Sequence, residues 1–237
     1  MLKPGFATAE DLAMLKLAAT RRAVFIDKDG TLVENIPYNV DPAKLRFTPH
    51  AVAGLQRLAL AGYLLVVVSN QPGIALQRFS EADLRTLADA LTARLAGLGV
   101  VLTDFYFCPH AMGDEHFGAA CRCRKPAPGL IIDAAREHGI DLGRSWMIGD
   151  ILDDVEAGWR AGCGSVLMDV GNETQWRWSP IRIPDFRVPD LQAAADLIIG
   201  SPSAARSRVL QRRPTIRRPS RTAERSIWAA AHEASPA

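Results

Sequence analysis

Five short apolar runs punctuate residues 23–168: AVFID, YLLVVVS, DFYFC, SWMIGD and GSVLMD. Several are apolar at successive positions rather than alternating, the pattern of parallel strands covered on both faces. Between them apolar residues recur at helical spacing. In SEADLRTLADALTARLAG, Leu84, Leu87, Leu91 and Leu95 fall on one stripe, with Ser80 at the N-cap and Asp83 three residues on. HAVAGLQRLALAG and PAPGLIIDAAREHG each end at a glycine able to take the left-handed conformation that closes a helix. Strands alternating with helices predict an α/β fold, a Rossmann-like open parallel sheet with helices on both faces. Ligands of such sheets bind beyond the carboxyl ends of the strands, so chemistry is expected just after each run.

The residues that follow the runs fit that expectation. The first run leads into FIDKDGTLVEN, where Asp27 and Asp29 flank Lys28. Two carboxylates this close at a strand end can share a divalent cation while one attacks and the other handles a proton. The second run ends in SNQPGIA, offering the Ser69 hydroxyl and nearby backbone N–H groups as donors, with Asn70 beside them. Lys125 follows the third run and its loop, and the fourth ends in IGDILDD, where Asp150 meets Asp153 and Asp154. An aspartate at a strand end is often only a helix cap, and a serine there only a turn residue. The order and placement of the set carry the argument. Carboxylates crowded at one sheet edge repel one another unless a cation or a basic group joins them.

The loop after the third run, CPHAMGDEHFGAACRCRK, holds three of the four cysteines. Cys108, His110, Cys121 and Cys123 supply four soft or borderline ligands, enough for a closed tetrahedral zinc site. A disulfide would leave His110 unused, and a redox pair would need a CxxC spacing that the chain lacks. Four protein ligands leave no position for substrate, so this zinc is expected to be structural and to pin a loop rich in Gly and Ala. His116 lies in the same loop and could in principle compete with His110. Cys163 reads as a small buried side chain. His50 and His138 adjoin helix ends and read as capping or solvent residues, and Trp176 and Trp178 as packing.

Composition bounds the picture. At 48% hydrophobic and 23% charged residues the chain fits a globular protein, and no apolar run approaches the ~18 residues of a membrane span. The first 22 residues carry Glu10, Asp11 and Lys16 where a signal peptide would be apolar, so a cytoplasmic location is expected. Residues 9–20 have an apolar face suited to a docked helix. Residues 201–237 contain eight arginines and two acids, a charge of +6, against −4 for the other 200. Rich in Arg, Ser and Pro, that tail is expected to be a disordered extension of a 1–200 domain. It leaves weak nucleic-acid binding open, though no aromatics interleave its arginines. The oligomeric state is not legible.

The order DxDGT, Ser, Lys, GDxxxD resembles the haloacid dehalogenase superfamily of phosphatases over roughly residues 22–170. The resemblance implies that Asp27 is the nucleophile forming an aspartyl-phosphate, and that Asp29 is general acid to the leaving alkoxide and then base to water. It implies Mg²⁺ held by Asp27, the main-chain carbonyl of Asp29 and Asp150, with Ser69, Asn70 and Lys125 on the phosphoryl group and Asp154 behind the metal ligands. CPH…CxCRKP is similar to the small zinc-containing branch that includes heptose-bisphosphate phosphatases and the histidinol-phosphate phosphatase domain. SNQPGIALQRFSEADL is closer to the heptose pattern TNQSGIA…F…E. A small sugar bisphosphate, in lipopolysaccharide precursor formation, is therefore the implied substrate, gripped in part by Arg124. No large cap domain is implied, since only about twenty residues separate Thr31 from the first helix. The heptose branch has Lys after the metal-binding Asp, where this chain has Ile151. Histidinol phosphate, a nucleotide 3′ end, and a binding module that holds a phospholigand without turnover are the alternatives.

Overall fold

The computed structural model describes residues 21–112 and 121–201. The readings of residues 9–20, of His116 and of all but the first residue of the 201–237 tail fall outside them. Six strands form one sheet: β1 (Ala23–Ile26), β2 (Leu64–Asn70), β3 (Asp104–Cys108), β4 (Trp146–Gly149), β5 (Gly164–Met168) and β6 (Phe186–Val188). Among the described residues five α-helices accompany it: α1 (Ala51–Leu60), α2 (Glu81–Gly97), α3 (Gly129–His138), α4 (Leu152–Ala161) and α5 (Leu191–Gly200). The strands are all parallel, in the order β3-β2-β1-β4-β5-β6. The chain steps outward from β1 to β3, returns to β4 on the other side of β1, and steps outward again. Its direction reverses between β1 and β4, which makes their carboxyl ends the crevice where such sheets bind ligands.

The continuous apolar runs are explained by burial on two sides. Val24 and Ile26 of β1 enter one core with Leu55, Leu84, Leu87 and Ile198 from α1, α2 and α5. Ala23 and Phe25 enter the opposite core with Ile131 and Ala134 of α3 and Ala157 of α4. The α2 stripe of Leu84, Leu87, Leu91 and Leu95 is wholly buried. Its start is a reciprocal capping box, with Ser80 Oγ accepting from Asp83 N at 3.2 Å and Asp83 Oδ2 accepting from Ser80 N at 2.8 Å. Gly139 closes α3 at φ +64°, in the left-handed region the sequence pattern requires there.

Two elements go beyond the five runs. β6 is three residues long with exposed Arg187 at its centre, too short and too polar in the middle to register as an apolar run. α5 buries Leu191, Ala194, Ala195 and Ile198 against the first core and is capped by Asp190, which accepts from Ala193 N. Among the described residues no second domain rises between Asp27 and α1. That segment instead folds down, with Leu32, Val33 and Leu45 buried in the first core.

Candidate active site

The aspartates of the first and fourth runs meet at the reversal point. Asp27 leaves β1 with its N–H donating to Ile148 O of β4 at 2.9 Å. The chain then turns, with Leu32 and Val33 N–H both donating to Lys28 O. Gly30 sits at φ +88°, and a Cβ there would come within 2.2 Å of Asp150 Oδ2. Backbone conformation and the closeness of the carboxylate both demand glycine. Carboxylate oxygens of Asp27, Asp150 and Asp154, all buried, lie within 4.8 Å of one another.

Lys125 is the cation among them. Its Nζ is 2.5 Å from Asp27 Oδ1, 2.6 Å from Asp154 Oδ1 and 2.9 Å from Val68 O. Burial opposes its charge, but the carboxylates of Asp154 and Asp27 more than reverse that and hold the ammonium above its ordinary range. Asp150 receives Thr31 Oγ1 at 3.1 Å and Asn172 Nδ2 at 2.7 Å. Burial, reinforced by the Asp27 charge, still pushes Asp150 up to about 6. Burial pushes Asp154 up to about 8 against the opposing pull of Lys125. Once ionised, the three carboxylates outnumber the one ammonium by two charges, so a divalent cation beside Asp27 and Asp150 fits the donor set and favours the ionised forms that burial opposes. Asp154, in its ion pair with Lys125, stands behind that pair.

Asp29 faces a different set of partners. Lys28 Nζ, itself buried, reaches Asp29 Oδ1 at 2.8 Å, and Gln71 Nε2 donates to Asp29 Oδ2 at 2.9 Å. The same Gln71 amide lies 2.8 Å from Ser69 Oγ, linking the second aspartate to the serine at the end of β2. Burial raises the Asp29 carboxyl above its ordinary range, with Lys28 opposing, which is the direction a general acid needs. Asn70 makes a reciprocal pair with the Lys125 backbone, donating to its carbonyl at 3.0 Å and accepting from its N–H at 2.9 Å. Its amide thereby fixes the strand of chain that carries the ammonium.

The sulfur cluster forms next door. Cys108 ends β3 opposite Asn70, and its carbonyl accepts from Gln71 N. Cys108, Cys121 and Cys123 Sγ and His110 Nδ1 lie 2.8–3.6 Å apart. These separations are far longer than the ~2.05 Å of a disulfide. They are slightly tighter than the edges, about 3.5–3.8 Å, of a tetrahedron with ~2.1–2.3 Å metal bonds. The four side chains converge on one point, as zinc ligands do. Gly129 N–H donates to Arg122 O, and a Cβ at Gly129 would come 2.3 Å from that oxygen, so α3 begins directly against the Cys121–Cys123 knuckle. Arg124 turns back, with Nη1 donating to His110 O at 3.1 Å. The basic pair therefore splits, Lys125 going to the carboxylates and Arg124 to the rim of the sulfur loop.

Thr31, Gln71 and Asn172 are site residues the motifs did not single out. Thr31 stood in the quoted DGT without a role, and Gln71 lies two residues after Ser69. Asn172 gave no signal, since its partner is 22 residues away. Cys163 is buried as expected, while Trp176 stacks on Trp178 at 5.3 Å and packs against Leu152, Val155 and Leu167. His50 caps α1 without a side-chain cap bond and pairs with Asp190, and His138 pairs with Asp104.

A parallel sheet reversing between two strands that each end in a buried aspartate, with a lysine tying the first of them to Asp154 behind the second, defines a haloacid dehalogenase-like hydrolase. The HAD-hydrolase-like family model matches residues 122–194. D-glycero-β-D-manno-heptose-1,7-bisphosphate 7-phosphatase of Pasteurella multocida is 40% identical over 139 residues, 58% of this chain and 76% of its own. The Escherichia coli K12 enzyme of that name is 35% identical over 188 residues, 78% of this chain and 92% of its own. The crystal structure of D,D-heptose 1,7-bisphosphate phosphatase from B. bronchiseptica, complexed with magnesium and phosphate, matches with TM-score 0.63 at 28% identity, covering 76% of this chain and 98% of that one. The chain belongs to the heptose-1,7-bisphosphate 7-phosphatase family of HAD-like phosphatases. No helix among the described residues is long and apolar enough to cross a membrane.

Proposed function

We propose that the chain removes the 7-phosphate from D-glycero-β-D-manno-heptose 1,7-bisphosphate through a covalent Asp27 phosphate. The observation that carries this reading is the pairing of Asp27 with Lys125 at 2.5 Å, opposite Asp150 and beside Asp29. A carboxylate oxygen is thus set where phosphate must bind, with an ammonium to neutralise what approaches. The match to relatives of that name supports the substrate.

Asp27, Asp150 and the Asp29 carbonyl would hold Mg²⁺, which when bound lets an anionic nucleophile meet an anionic phosphate. An Asp27 oxygen attacks phosphorus as the bond to the sugar oxygen breaks, and Asp29 gives its proton to the departing alkoxide. Asp29 then takes a proton from water, which attacks the same phosphorus, releasing inorganic phosphate and restoring Asp27. Lys125 and Ser69 stabilise the non-bridging oxygens, and Asn70 acts by holding the Lys125 backbone. Gln71 keeps Asp29 and Ser69 in register across the reacting group. The sulfur cluster would hold a structural zinc and fix the chain just before Arg124 and Lys125. Arg124 keeps further guanidinium N–H donors for a phosphate remote from the chemistry.

Phosphate release measured on heptose 1,7-bisphosphate, histidinol phosphate and a 3′-phosphorylated oligonucleotide tests the assignment. Highest kcat/KM on the heptose, with the 1-phosphate retained in the product, is expected. Preference for either of the others overturns it.

A further inference from the structure

The segment after β5, GNETQWRWSPIRIPDF, matches no motif used above, yet it touches the acidic site. Asn172 Nδ2 donates to Asp150 Oδ2 at 2.7 Å, and it lies over the DGT turn so closely that a Cβ at Gly30 would come within 2.5 Å of it. Gly171, at φ +87°, turns the chain to bring it there. The next residue ties the segment to the start of α4, where Glu173 Oε2 accepts from Leu152 N at 2.9 Å while Oε1 accepts from Gln175 N at 2.8 Å. Trp176 packs against Leu152 and Val155 of that helix, and Arg182 pairs with Glu156 at 2.5 Å and Asp153 at 2.7 Å. The segment is therefore strapped along the helix that follows Asp150, and one end of the strap rests on the Asp150 carboxylate.

We propose that Asn172 is a positioning residue for Asp150, fixing the carboxylate for the divalent cation, and that residues 171–182 are the strap that holds it there. A carboxylate has about four lone-pair sites. The two side-chain donors, Thr31 on Oδ1 and Asn172 on Oδ2, join its own backbone N–H in removing the freedom of the group to rotate, and none of the three neutralises its charge. An amide suits this place because it carries no charge. A lysine would neutralise the ligand and compete with the cation, whereas a neutral N–H donor orients it and leaves its charge in place. Partners behind metal ligands act in this way, and their loss costs about 10–100-fold in metal affinity.

The proposal rests on the reading of Asp150 as a metal ligand, and the test separates the two. Mn²⁺ binding to the full chain with zinc present is followed by the loss of the free-ion EPR signal, for the wild type, Asn172→Leu, Asn172→Ala and Asp150→Asn. Leucine keeps the branched outline of the asparagine without its polar atoms, so it decides the matter if alanine disturbs the fold. The expected result is a Kd for Mn²⁺ raised about tenfold or more in both Asn172 variants and raised further in Asp150→Asn, with zinc content and the Mn²⁺-free thermal midpoint of Asn172→Leu kept. Unchanged Mn²⁺ affinity in a folded Asn172→Leu, with Asp150→Asn weakened, overturns the role of Asn172 alone. Unchanged affinity in Asp150→Asn overturns the ligand reading on which it rests.

Discussion

The acidic cluster and the sulfur cluster are neighbours of similar build that differ in what satisfies them. Each gathers metal-ligating side chains whose ligand atoms lie within 4.8 Å of one another. The acidic one is crossed by protein donors: Lys125 on Asp27 and Asp154, Thr31 and Asn172 on Asp150. It is held together before any ion arrives, and Asp27 remains turned toward the crevice. Among the described residues the sulfur cluster has no lysine; backbone amides face its sulfurs instead, those of Cys123 and Arg124 at Cys121 and that of His110 at Cys108. Its four ligand atoms converge on one another inside that frame, which suits a closed structural site. The comparison teaches that a site open to substrate is preorganised by charged and polar side chains that leave an opening, whereas a closed ligand set is framed by backbone donors and left for a metal to complete.

Asp27→Asn should separate the two regions most sharply. Turnover should fall at least about a thousandfold, since the amide cannot attack phosphorus. The thermal midpoint should hold or rise, because one of three crowded carboxylates is gone while Asp154 still pairs with Lys125. Normal phosphate release by purified Asp27→Asn would end the covalent reading. Asp29→Asn should also lose activity, and lose less on nitrophenyl phosphate, whose leaving group needs no proton.

Cys121→Ser should do the reverse, acting first on stability. Metal analysis of the wild type should find about one zinc per chain, and the variant's zinc affinity should fall by at least about a hundredfold. Its thermal midpoint should drop with the zinc, and activity should follow as the chain before Lys125 loosens. A wild type that carries no zinc when purified without chelator would contradict this half of the comparison.

Arg124→Ala probes the join between them. kcat/KM on the bisphosphate should fall roughly tenfold to a hundredfold, the loss of a hydrogen bond to a charged group at ~1.5–3 kcal/mol. A corresponding monophosphate should be affected much less, while Lys125→Ala should damage both. Equal losses for Arg124→Ala would mean that its bond to the His110 carbonyl, not a second phosphate, is its function. The smallest effect is expected at Ser80→Ala. It should cost about 0.5–2 kcal/mol of stability in thermal or urea unfolding and leave turnover unchanged, since α2 touches neither cluster through its cap.

Asp27, Asp29, Ser69, Lys125 and Asp150 were legible because each lies at the end of a strand or in the loop after it, and the sheet topology decides where strand ends go. The cysteines were legible by spacing. Gln71 and Asn172 were not, because their function is a hydrogen bond to a side chain 42 and 22 residues away, which no local pattern encodes. Lys28 shows the same limit. Buried between two aspartates of its own motif, it pairs with Asp29, where a lysine read alone would be assigned to the surface. β6 was hidden by its length, and it became a strand because β5 offered an edge with Val166 and Met168 opposite Phe186 and Val188.

The stereochemistry of transfer at phosphorus tests the covalent reading most directly. With a substrate whose 7-phosphate is made chiral by oxygen isotopes and sulfur, and turnover in isotopic water, two successive in-line displacements through Asp27 should give inorganic thiophosphate of retained configuration. Inversion would mean that water attacks the substrate in one step, and would contradict the account.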